Sequence, residues 1–420
     1  MGDLLTRRET SHGTGLPHLA TGVVVAGAPA TAAAGPFRSF VQPLENGKHL
    51  RCFPFDRGHV PTTLWYAVSA MLATTIGTET VNTTHPLPRY TPATRPPKMV
   101  LTDRDIALLT FIYDYNGVVT KDHLQRRFWP HTQRRAMTTR LSRLFHNRYI
   151  SWPTPEQRVN YTIPQTVVWL NWQGILVIAR QQGLDIPPPT NESEWQLRQL
   201  YKRLRQHGLR WRRLPLNTLR HDLLGIDIRL KFEHDAHQLP HLSIPIWHNQ
   251  GVFKLETDLI TYSLPQPKKQ PDTETKPKTT TAGVEPDDFC IVANHKQQIQ
   301  NQPQQRRFLF EYDLSTHSHR GTWRDKAAAM SAYVKSPAYK ARFGYNSGTW
   351  LVVAKTQERI DNLIHTVATY AEAPRTLWRF TTFSEAFNSP NLLTAPIWQQ
   401  PSYDRQARRW QGKPQPLFSL

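Results

Sequence analysis

Hydrophobic residues first recur at helical spacing just after Leu101. Thr102 can accept a hydrogen bond from a first-turn amide and so begin a helix. Three residues then share one apolar face: Ile106, Leu109 and Ile112. Gly117 ends this helix. A second, shorter helix is predicted over Lys121 to Phe128, because a threonine precedes it and a proline follows it closely.

A third helix is predicted from about Thr132 to Asn147, with apolar residues on one side and arginines around the rest. After it, residues 149–152 and 158–163 alternate like two strands around a proline-containing turn. Three helices followed by a hairpin form a winged helix-turn-helix, which we assign to residues 99–163. In that arrangement the third helix enters a major groove and the wing lies beside the DNA backbone.

The third helix and the wing carry the candidate DNA contacts. Four arginines fall within ten residues of the helix, and two more flank the wing. Threonines and a glutamine on the helix are candidates for reading base edges. The candidate DNA-binding residues are Gln133, Arg134, Arg135, Thr138, Thr139, Arg140, Arg143, Arg148 and Arg158. The alternative is a small helical domain whose arginines only solvate its surface.

The rest of the chain predicts an α+β multidomain protein. Residues 164–216 are predicted to form a helical connector with two helices. From residue 217 an α/β domain with a mixed sheet is expected to extend to residue 395. Its predicted helices cover residues 219–232, 322–334 and 357–371, and its predicted strands cover 251–255, 258–263, 289–293, 308–314, 350–354 and 377–382.

Three segments fall outside these predicted elements. Residues 1–98 are rich in Gly, Ala, Thr and Pro and lack periodicity, so we expect a low-complexity, disordered extension, with Met99 as a hypothetical translation start. Residues 265–285 are predicted to be a disordered insertion, because Pro, Lys, Thr and Gln dominate them. Residues 396–420 are expected to be a tail whose aromatic side chains dock on the α/β domain.

Charge narrows the expected partner. The formal net charge is +20, with 52 Lys and Arg against 32 Asp and Glu, which favours a polyanion. Nucleic acid is the first expectation and an anionic membrane surface the second. Cys52 and Cys290 are too few for a disulfide framework or a four-ligand zinc site. Since no stretch reaches the roughly 20 apolar residues of a membrane span, we expect a soluble, cytoplasmic protein.

Acidic residues lie at the edges of neighbouring predicted strands. Asp287 follows a proline, and Glu311 and Asp313 are two residues apart, so their side chains share one face of a strand. Convergent carboxylates are suited to Mg²⁺, the cofactor expected if the site is catalytic. Lys326, about one turn into the next helix, is the candidate cation. Such a site would activate water and stabilise charge on a phosphodiester being cut.

This succession of elements resembles the core of the PD-(D/E)xK nuclease superfamily. That core places an aspartate and an acidic-x-lysine pair on adjacent strands after an initial helix. Pro286-Asp287 matches the first part, whereas Glu311-Tyr312-Asp313 has an aspartate at the lysine position. The lysine would then come from elsewhere, as Lys326 would. A core that grips DNA or a partner without cutting is the alternative.

Several short motifs occur in a characteristic order: Leu101-Thr102-x-Arg104-Asp105, His221-Asp222-Leu223 with Asp227, Pro286-Asp287, Phe310-Glu311-Tyr312-Asp313 followed by Thr316, and Lys326 with Tyr333. Over residues 101 to about 400 the chain thus resembles the replication-relaxation family of bacterial mobile-element and plasmid proteins. The resemblance implies DNA binding in plasmid replication, relaxation or mobilisation, with replication or relaxation proteins as partners.

His221 and Asp222 open a predicted helix. We interpret them first as a hydrogen-bonded helix start, with Asp222 in the positive first turn. The alternative is that His221 or Asp227 faces the carboxylates as an added acid, base or metal ligand.

Three functions follow from the sequence. The first is a sequence-directed DNA-binding protein of a plasmid or mobile element. The second is a magnesium-dependent DNA endonuclease, and the third is a protein-interaction scaffold of a relaxation or replication complex. No heptad pattern predicts an oligomeric state.

Overall fold

The residues that the structure describes form one β-sheet of three strands, one of seven strands and a separate two-stranded ribbon. The computed structural model describes residues 87–132, 134–162, 167–213, 218–264, 278–299, 302–315, 322–371 and 375–419. All of them belong to one contact unit, Trp65–Leu420.

The three-stranded sheet packs on helices from the same part of the chain. Its strands are antiparallel in the order β1-β3-β2. The elements are α1 (Asp103–Asp114), β1 (Val118–Thr120), α2 (Lys121–Phe128), α3 (Arg134–His146), β2 (Ile150–Ser151), α4 (Pro155–Asn160) and β3 (Val167–Leu170). The three predicted helices are confirmed. So are two caps, since Thr102 Oγ accepts from Asp105 N at 3.4 Å and Thr120 Oγ accepts from His123 N at 3.0 Å.

The predicted second wing strand, at residues 158–163, is wrong. Residues 155–160 form α4, because Thr154 and Gln157 build a capping box: Thr154 Oγ accepts from Gln157 N at 3.3 Å, and Gln157 Oε1 accepts from Thr154 N at 2.9 Å. Pro155 also fits the first helical turn. The strand that pairs with β2 is β3, which falls in the predicted connector.

The predicted disordered extension needs correction over its last part. Residues 1–86 lie outside the described residues, but residues 87–98 pack along α3 and β2. Ala93 N donates to His146 Nδ1 at 3.1 Å, and Asn147 Nδ2 donates to Pro97 O at 2.9 Å. The indole of Trp152 donates to Arg89 O at 3.1 Å. Hydrogen bonds between its backbone and the side chains of His146, Asn147 and Trp152 therefore hold a segment that has no helical or strand periodicity.

Helices α5 (Trp172–Gln181), α6 (Glu194–Gln206) and α7 (Leu219–His237) follow the small sheet. The first two are the two helices predicted within residues 164–216. Their buried residues, among them Ile175 and Leu204, join the hydrophobic core of the small sheet.

The seven-stranded sheet has the order β12-β11-β10-β9-β8-β7-β4. β8–β9 and β9–β10 are parallel, and the other neighbours are antiparallel. The strands are β4 (Leu242–Asn249), β7 (Asp288–Ile299), β8 (Gln302–Asp313), β9 (Thr349–Ala354), β10 (Trp378–Thr382), β11 (Trp398–Asp404) and β12 (Arg409–Gln415), and the ribbon consists of β5 (Asp258–Leu264) and β6 (Lys278–Val284).

Two predictions in this region are wrong, and one strand was missed. Residues 251–255 form a helix, α8 (Gln250–Leu255), whose cap Asn249 accepts from Gly251 N at 2.8 Å. The sequence pattern also missed β4, whose pairing with β7 is irregular between Ser243 and Ile246. Residues 278–284 of the predicted disordered insertion form β6, while residues 265–277 lie outside the described part of the chain.

Helices cover both faces of the large sheet: α9 (Thr322–Lys335), α10 (Pro337–Phe343), α11 (Gln357–Tyr370) and α12 (Phe383–Asn388). Alternation along β8 separates two cores. Leu309 packs with residues of α9 and α11, whereas Phe308 and Phe310 pack with residues of α7 and α12. Glu311 and Asp313 thus share the face of Leu309, as predicted.

The predicted tail is part of the sheet. β11 and β12 form its far edge, and the buried Trp398 donates to Leu392 O at 2.7 Å. Phe418 is buried too, so the predicted docking of tail aromatics is confirmed. In the described part of the chain, no helix is long and apolar enough to cross a membrane.

Helix α7 contributes to both halves of the structure. Leu219 and Ile226 belong to the core around the small sheet, and Ile228 and Phe232 belong to a core of the large sheet. On the same helix, a Cβ at Gly225 would lie 2.6 Å from Tyr312 Cε2. α7 can approach β8 this closely because residue 225 has no side chain.

We expect Gly225→Ala to lower the free energy of unfolding by about 1–3 kcal/mol, because the added methyl collides with a buried ring. Chemical denaturation would measure the loss. His237→Ala, at an exposed position of the same helix, is the control. Equal stability of Gly225→Ala and wild type would show that α7 does not need this contact.

Candidate functional site

The first turns of α3 face solvent. Arg134, Arg135, Thr138 and Thr139 are exposed, while Met137 on the opposite side is buried. The Thr138 hydroxyl donates to Arg134 O at 2.9 Å, which leaves its oxygen as an acceptor. Four of the predicted DNA contacts therefore lie together on one exposed helix surface. The side chain of Gln133 lies outside the described residues.

Other predicted DNA contacts are engaged within the protein. Arg140 donates to Asp105 and to Val100 O, and its hydrogen bond with Asp105 raises the pKa of the guanidinium. Arg148 pairs with Glu192. Arg143 is half-buried. Arg140 and Arg148 thus help to hold the fold.

Four cations lie near one another beside the exposed turns of α3. They are Arg89, Lys121, Arg134 and Arg158, named here the basic patch. Burial lowers the pKa of Lys121, and the charges of Arg134, Arg89 and Arg158 lower it further. One carboxylate, Asp122, pairs with Arg134 at 3.0 Å, although the Arg134 side chain stays 67% exposed. The basic patch therefore carries net positive charge.

Sequence reasoning found Arg134 and Arg158 but missed Arg89 and Lys121. Lys121 opens α2, where a charged side chain is the usual solvated end of a helix. Arg89 lies in a proline-rich segment with no periodic signal. Only the packing of that segment on Trp152 brings it to the patch, and the Lys121 ammonium lies 4.9 Å from the centre of the same ring.

Asp287 is held at the start of β7 by donors from three elements. Tyr312 N donates to its Oδ2 at 2.8 Å, and Gln250 Nε2 donates to its Oδ1 at 2.9 Å. His221 Nε2 lies 3.2 Å from Oδ2. These contacts fix the carboxylate at the meeting point of α7, α8 and the large sheet.

Glu311 and Lys326 form a partly buried ion pair, so the lysine lies beside the carboxylate as predicted. Burial raises the pKa of Glu311 to about 7 despite the nearby ammonium, and the charge of Asp287 adds to the rise. Burial alone would lower the pKa of Lys326, but Glu311 and Asp287 raise it. Asp287, Glu311 and Lys326 thus interact electrostatically, and we name them the acidic cluster.

Asp313 is not free to act as the metal ligand that the sequence predicted. Its carboxylate pairs with Arg359 of α11, and both side chains are almost fully buried. Among the described residues no group of three or more His, Cys, Asp or Glu side chains is arranged to hold a metal ion. The expectation of three convergent carboxylate ligands is therefore wrong for Asp313, because a cation 46 residues later neutralises it.

The two interpretations of His221 and Asp222 both hold in part. Asp222 lies in the first turn of α7 and pairs with Arg212, while His221 faces Asp287. Burial alone would lower the pKa of His221, but hydrogen bonds with Asp222 and Asp287 raise it to about 10. A protonated imidazole has no lone pair for a metal ion. His221 is therefore a paired cation at neutral pH.

Asp227 does not reach the acidic cluster. Its carboxylate lies 2.8 Å from His123 Nε2, on α2. The contact joins α7 to the helices of the small sheet, so Asp227 has a place in packing rather than beside the carboxylates.

Two neighbours of the acidic cluster were outside the sequence prediction. Gln250 was missed because residues 251–255 were interpreted as a strand. Arg359 was missed because nothing in the spacing links it to Asp313.

No protein-family model matches the chain, and comparison with curated proteins and with solved structures gives no match. The resemblances described above therefore rest on the sequence motifs alone.

Asp288 gives the region a pH dependence. Its buried carboxylate accepts from Tyr312 Oη at 2.8 Å and from Trp247 Nε1 at 3.1 Å. Burial raises its pKa from 3.8 to about 7, although the charge of Arg229 opposes the rise. Between these two values the folded state binds a proton that the unfolded state has released, so stability falls as the pH rises.

At pH 8 we expect the free energy of unfolding of Asp288→Asn to be about 1–3 kcal/mol higher than that of wild type, because asparagine mimics the protonated carboxyl. At pH 5 the two proteins should differ little. Thermal unfolding at both pH values would measure the difference, with the exposed Asp361→Asn as control. A destabilisation of Asp288→Asn that is equal at both pH values would contradict the raised pKa.

Proposed function

We propose that the protein binds double-stranded DNA through a winged helix-turn-helix, with α3 as the recognition helix. The basic patch carries this proposal. Clustering four cations costs folding free energy unless an anion neutralises them, and DNA phosphates would supply that neutralisation with release of counterions. Thr138 and Thr139 would then face base edges.

The order of elements supports this assignment. Three helices precede the pairing of β2 with β3, and β1 completes the sheet in the order β1-β3-β2. The segment between β2 and β3 would be the wing. It contains α4, on which Arg158 contributes to the basic patch. A helix and a wing that share one cationic surface are what a winged helix presents to the DNA backbone.

The biological setting rests on the motifs that resemble the replication-relaxation family. We propose on that basis that the DNA belongs to a plasmid or mobile element. The chain would act there in replication, relaxation or mobilisation.

We expect Arg134→Gln/Arg135→Gln to weaken DNA binding about 30-fold near physiological salt. It should also reduce the slope of log affinity against log salt by about two, because two phosphate contacts are lost. Fluorescence anisotropy with a labelled duplex across a salt series measures both. Lys335→Gln/Lys340→Gln removes two exposed charges from α9 and α10 and is the matched control. An equal slope for the two double variants would contradict the proposed role of α3.

A magnesium-dependent DNA endonuclease is the second candidate function. Its first support is that Lys326 pairs with Glu311 and interacts electrostatically with Asp287. Its second support is the order of the elements that carry these residues: a helix, three antiparallel strands, a helix and a parallel strand. Magnesium is commonly bound by one or two carboxylates together with water and substrate phosphates, so Asp287 and Glu311 without Asp313 would suffice. A bound Mg²⁺ would lower the pKa of water and offset charge on the phosphodiester.

In that reaction the residues of the chain would have separate tasks. Asp287 and Glu311 would hold the metal, and the Lys326 ammonium would stabilise negative charge developing on the phosphate. His221, a cation held by Asp222, would orient the Asp287 carboxylate. Asp313 would only anchor α11 to the sheet.

If the chain is this nuclease, wild type nicks supercoiled DNA with Mg²⁺ or Mn²⁺. Glu311→Gln and Lys326→Gln then lose cutting at least 100-fold while they still bind DNA. Gel assays of nicking and of binding make the comparison, with Asp361→Asn as the control. Absence of metal-dependent cutting by wild type would exclude this second function and leave DNA binding untouched. Cutting by Glu311→Gln at the wild-type rate would exclude the acidic cluster as its site.

A further inference from the structure

Three cations meet between the segment that follows α6 and the short helix α8. They are Arg210, Arg212 and Lys254: both arginines donate to Asn116, and Arg210 lies against Gly251 of α8, the helix that carries Lys254. Arg210 and Arg212 are neighbours in the sequence, whereas Lys254 follows more than 40 residues later, so the fold brings it to the two arginines. None of them belongs to the DNA-binding residues assigned to the winged helix-turn-helix or to the acidic cluster.

Arg210 is half-buried and lies against the backbone of α8. A Cβ at Gly251 would be 3.0 Å from Arg210 Nη1, so this glycine lets the guanidinium approach. Its Nη1 donates to Asn116 Oδ1 at 3.0 Å. In the described part of the chain, Arg210 makes no ion pair. Burial lowers its pKa, and the charge of Arg212 lowers it further.

Lys254 resembles Arg210 in having an amide as its hydrogen-bond partner. Its ammonium donates to Gln250 Oε1 at 2.7 Å. Burial lowers its pKa, and the charges of Arg210 and Arg212 add to the effect. No carboxylate of the described residues lies within ion-pair distance of Lys254.

Arg212 is the one of the three cations that pairs with a carboxylate. It pairs with Asp222, but the same Asp222 also serves His221 and accepts from Thr218 Oγ at 2.7 Å. His221 also faces Asp287, so two carboxylates stand against four cations when His221 is counted with Arg210, Arg212 and Lys254. Arg210 and Lys254 remain as excess positive charge in a partly buried position, which is costly without an anion.

We propose that Arg210, Arg212 and Lys254 form a binding site for a phosphate group. A guanidinium offers paired N–H donors that match two phosphate oxygens, and an ammonium adds a point charge. Gln250 donates to Asp287 and accepts from Lys254, so one side chain separates the phosphate site from the acidic cluster.

The phosphate has two chemical sources. One is a phosphodiester of the DNA backbone, and this version rests on the proposed function. The other is a free phosphorylated small molecule. A backbone phosphate held here would lie beside Asp287, which would bring bound DNA to the acidic cluster as well as to α3.

The test uses the full chain and its Lys254→Met and Arg210→Met variants, with Lys340→Met as a matched control on α10. Thermal unfolding is measured in chloride and in pyrophosphate at equal ionic strength. We expect pyrophosphate to raise the melting temperature of wild type and the control more than that of either site variant. In chloride, Lys254→Met should be at least as stable as wild type, because its removal relieves repulsion.

A DNA arm separates the two sources. If the phosphate is a DNA phosphodiester, each site variant binds a labelled duplex about fivefold more weakly near physiological salt, and its salt slope falls by about one. A pyrophosphate effect without a change of slope supports the site and assigns it to a small phosphorylated molecule. A change of slope without a pyrophosphate effect supports a site that only DNA fills.

Two further outcomes keep the proposals distinct. If wild type binds no DNA but the pyrophosphate difference persists, the proposed function fails and the phosphate site stands. If pyrophosphate stabilises all four proteins equally and the DNA slopes are equal, the phosphate site is overturned. Destabilisation of both site variants in chloride, with no difference in pyrophosphate, would likewise overturn it and assign the cations to packing.

Discussion

The structure depends on one buried guanidinium, that of Arg229 on α7. It donates to Asp114 O at 2.6 Å, pairs with Glu233 at 2.8 Å and lies 3.9 Å from the ring centre of Tyr115. Burying a charge costs several kcal/mol unless its partners are all in place. Because Arg229 also lies 5.1 Å from the ring centre of Trp247 on β4, it ties the end of α1 to the large sheet.

The charged groups of the chain are distributed around this connection. The basic patch lies on helices of the small sheet and on the segment that packs against them, and the acidic cluster lies where α7 and α8 meet the large sheet. Arg210 and Arg212 lie at the junction, where both donate to Asn116 just after α1. The two proposals assign these cations to a polyanion, which would then contact the chain at more than one surface.

Local sequence signals predicted local structure well. Threonine caps and apolar spacing gave α1 and α2 with their ends, and alternation placed Glu311 and Asp313 on one face. The errors arose where two local signals competed, as at Thr154, or where pairing was irregular, as in β4. The site depended on contacts that no spacing encodes: Arg359 with Asp313, Gln250 with Asp287, and Arg89 beside Lys121. Such partners are fixed by tertiary packing, which a single sequence does not display.

The central claim is that α3 faces DNA, and photocrosslinking tests it most directly. A photoreactive benzoylphenylalanine would replace Thr138 in one protein and the exposed Asp361 on α11 in another. After irradiation with a bound, labelled duplex, we expect a covalent protein–DNA band from position 138 and none from position 361. A band from position 361 alone, with both proteins still binding the duplex, would contradict the placement of DNA on α3.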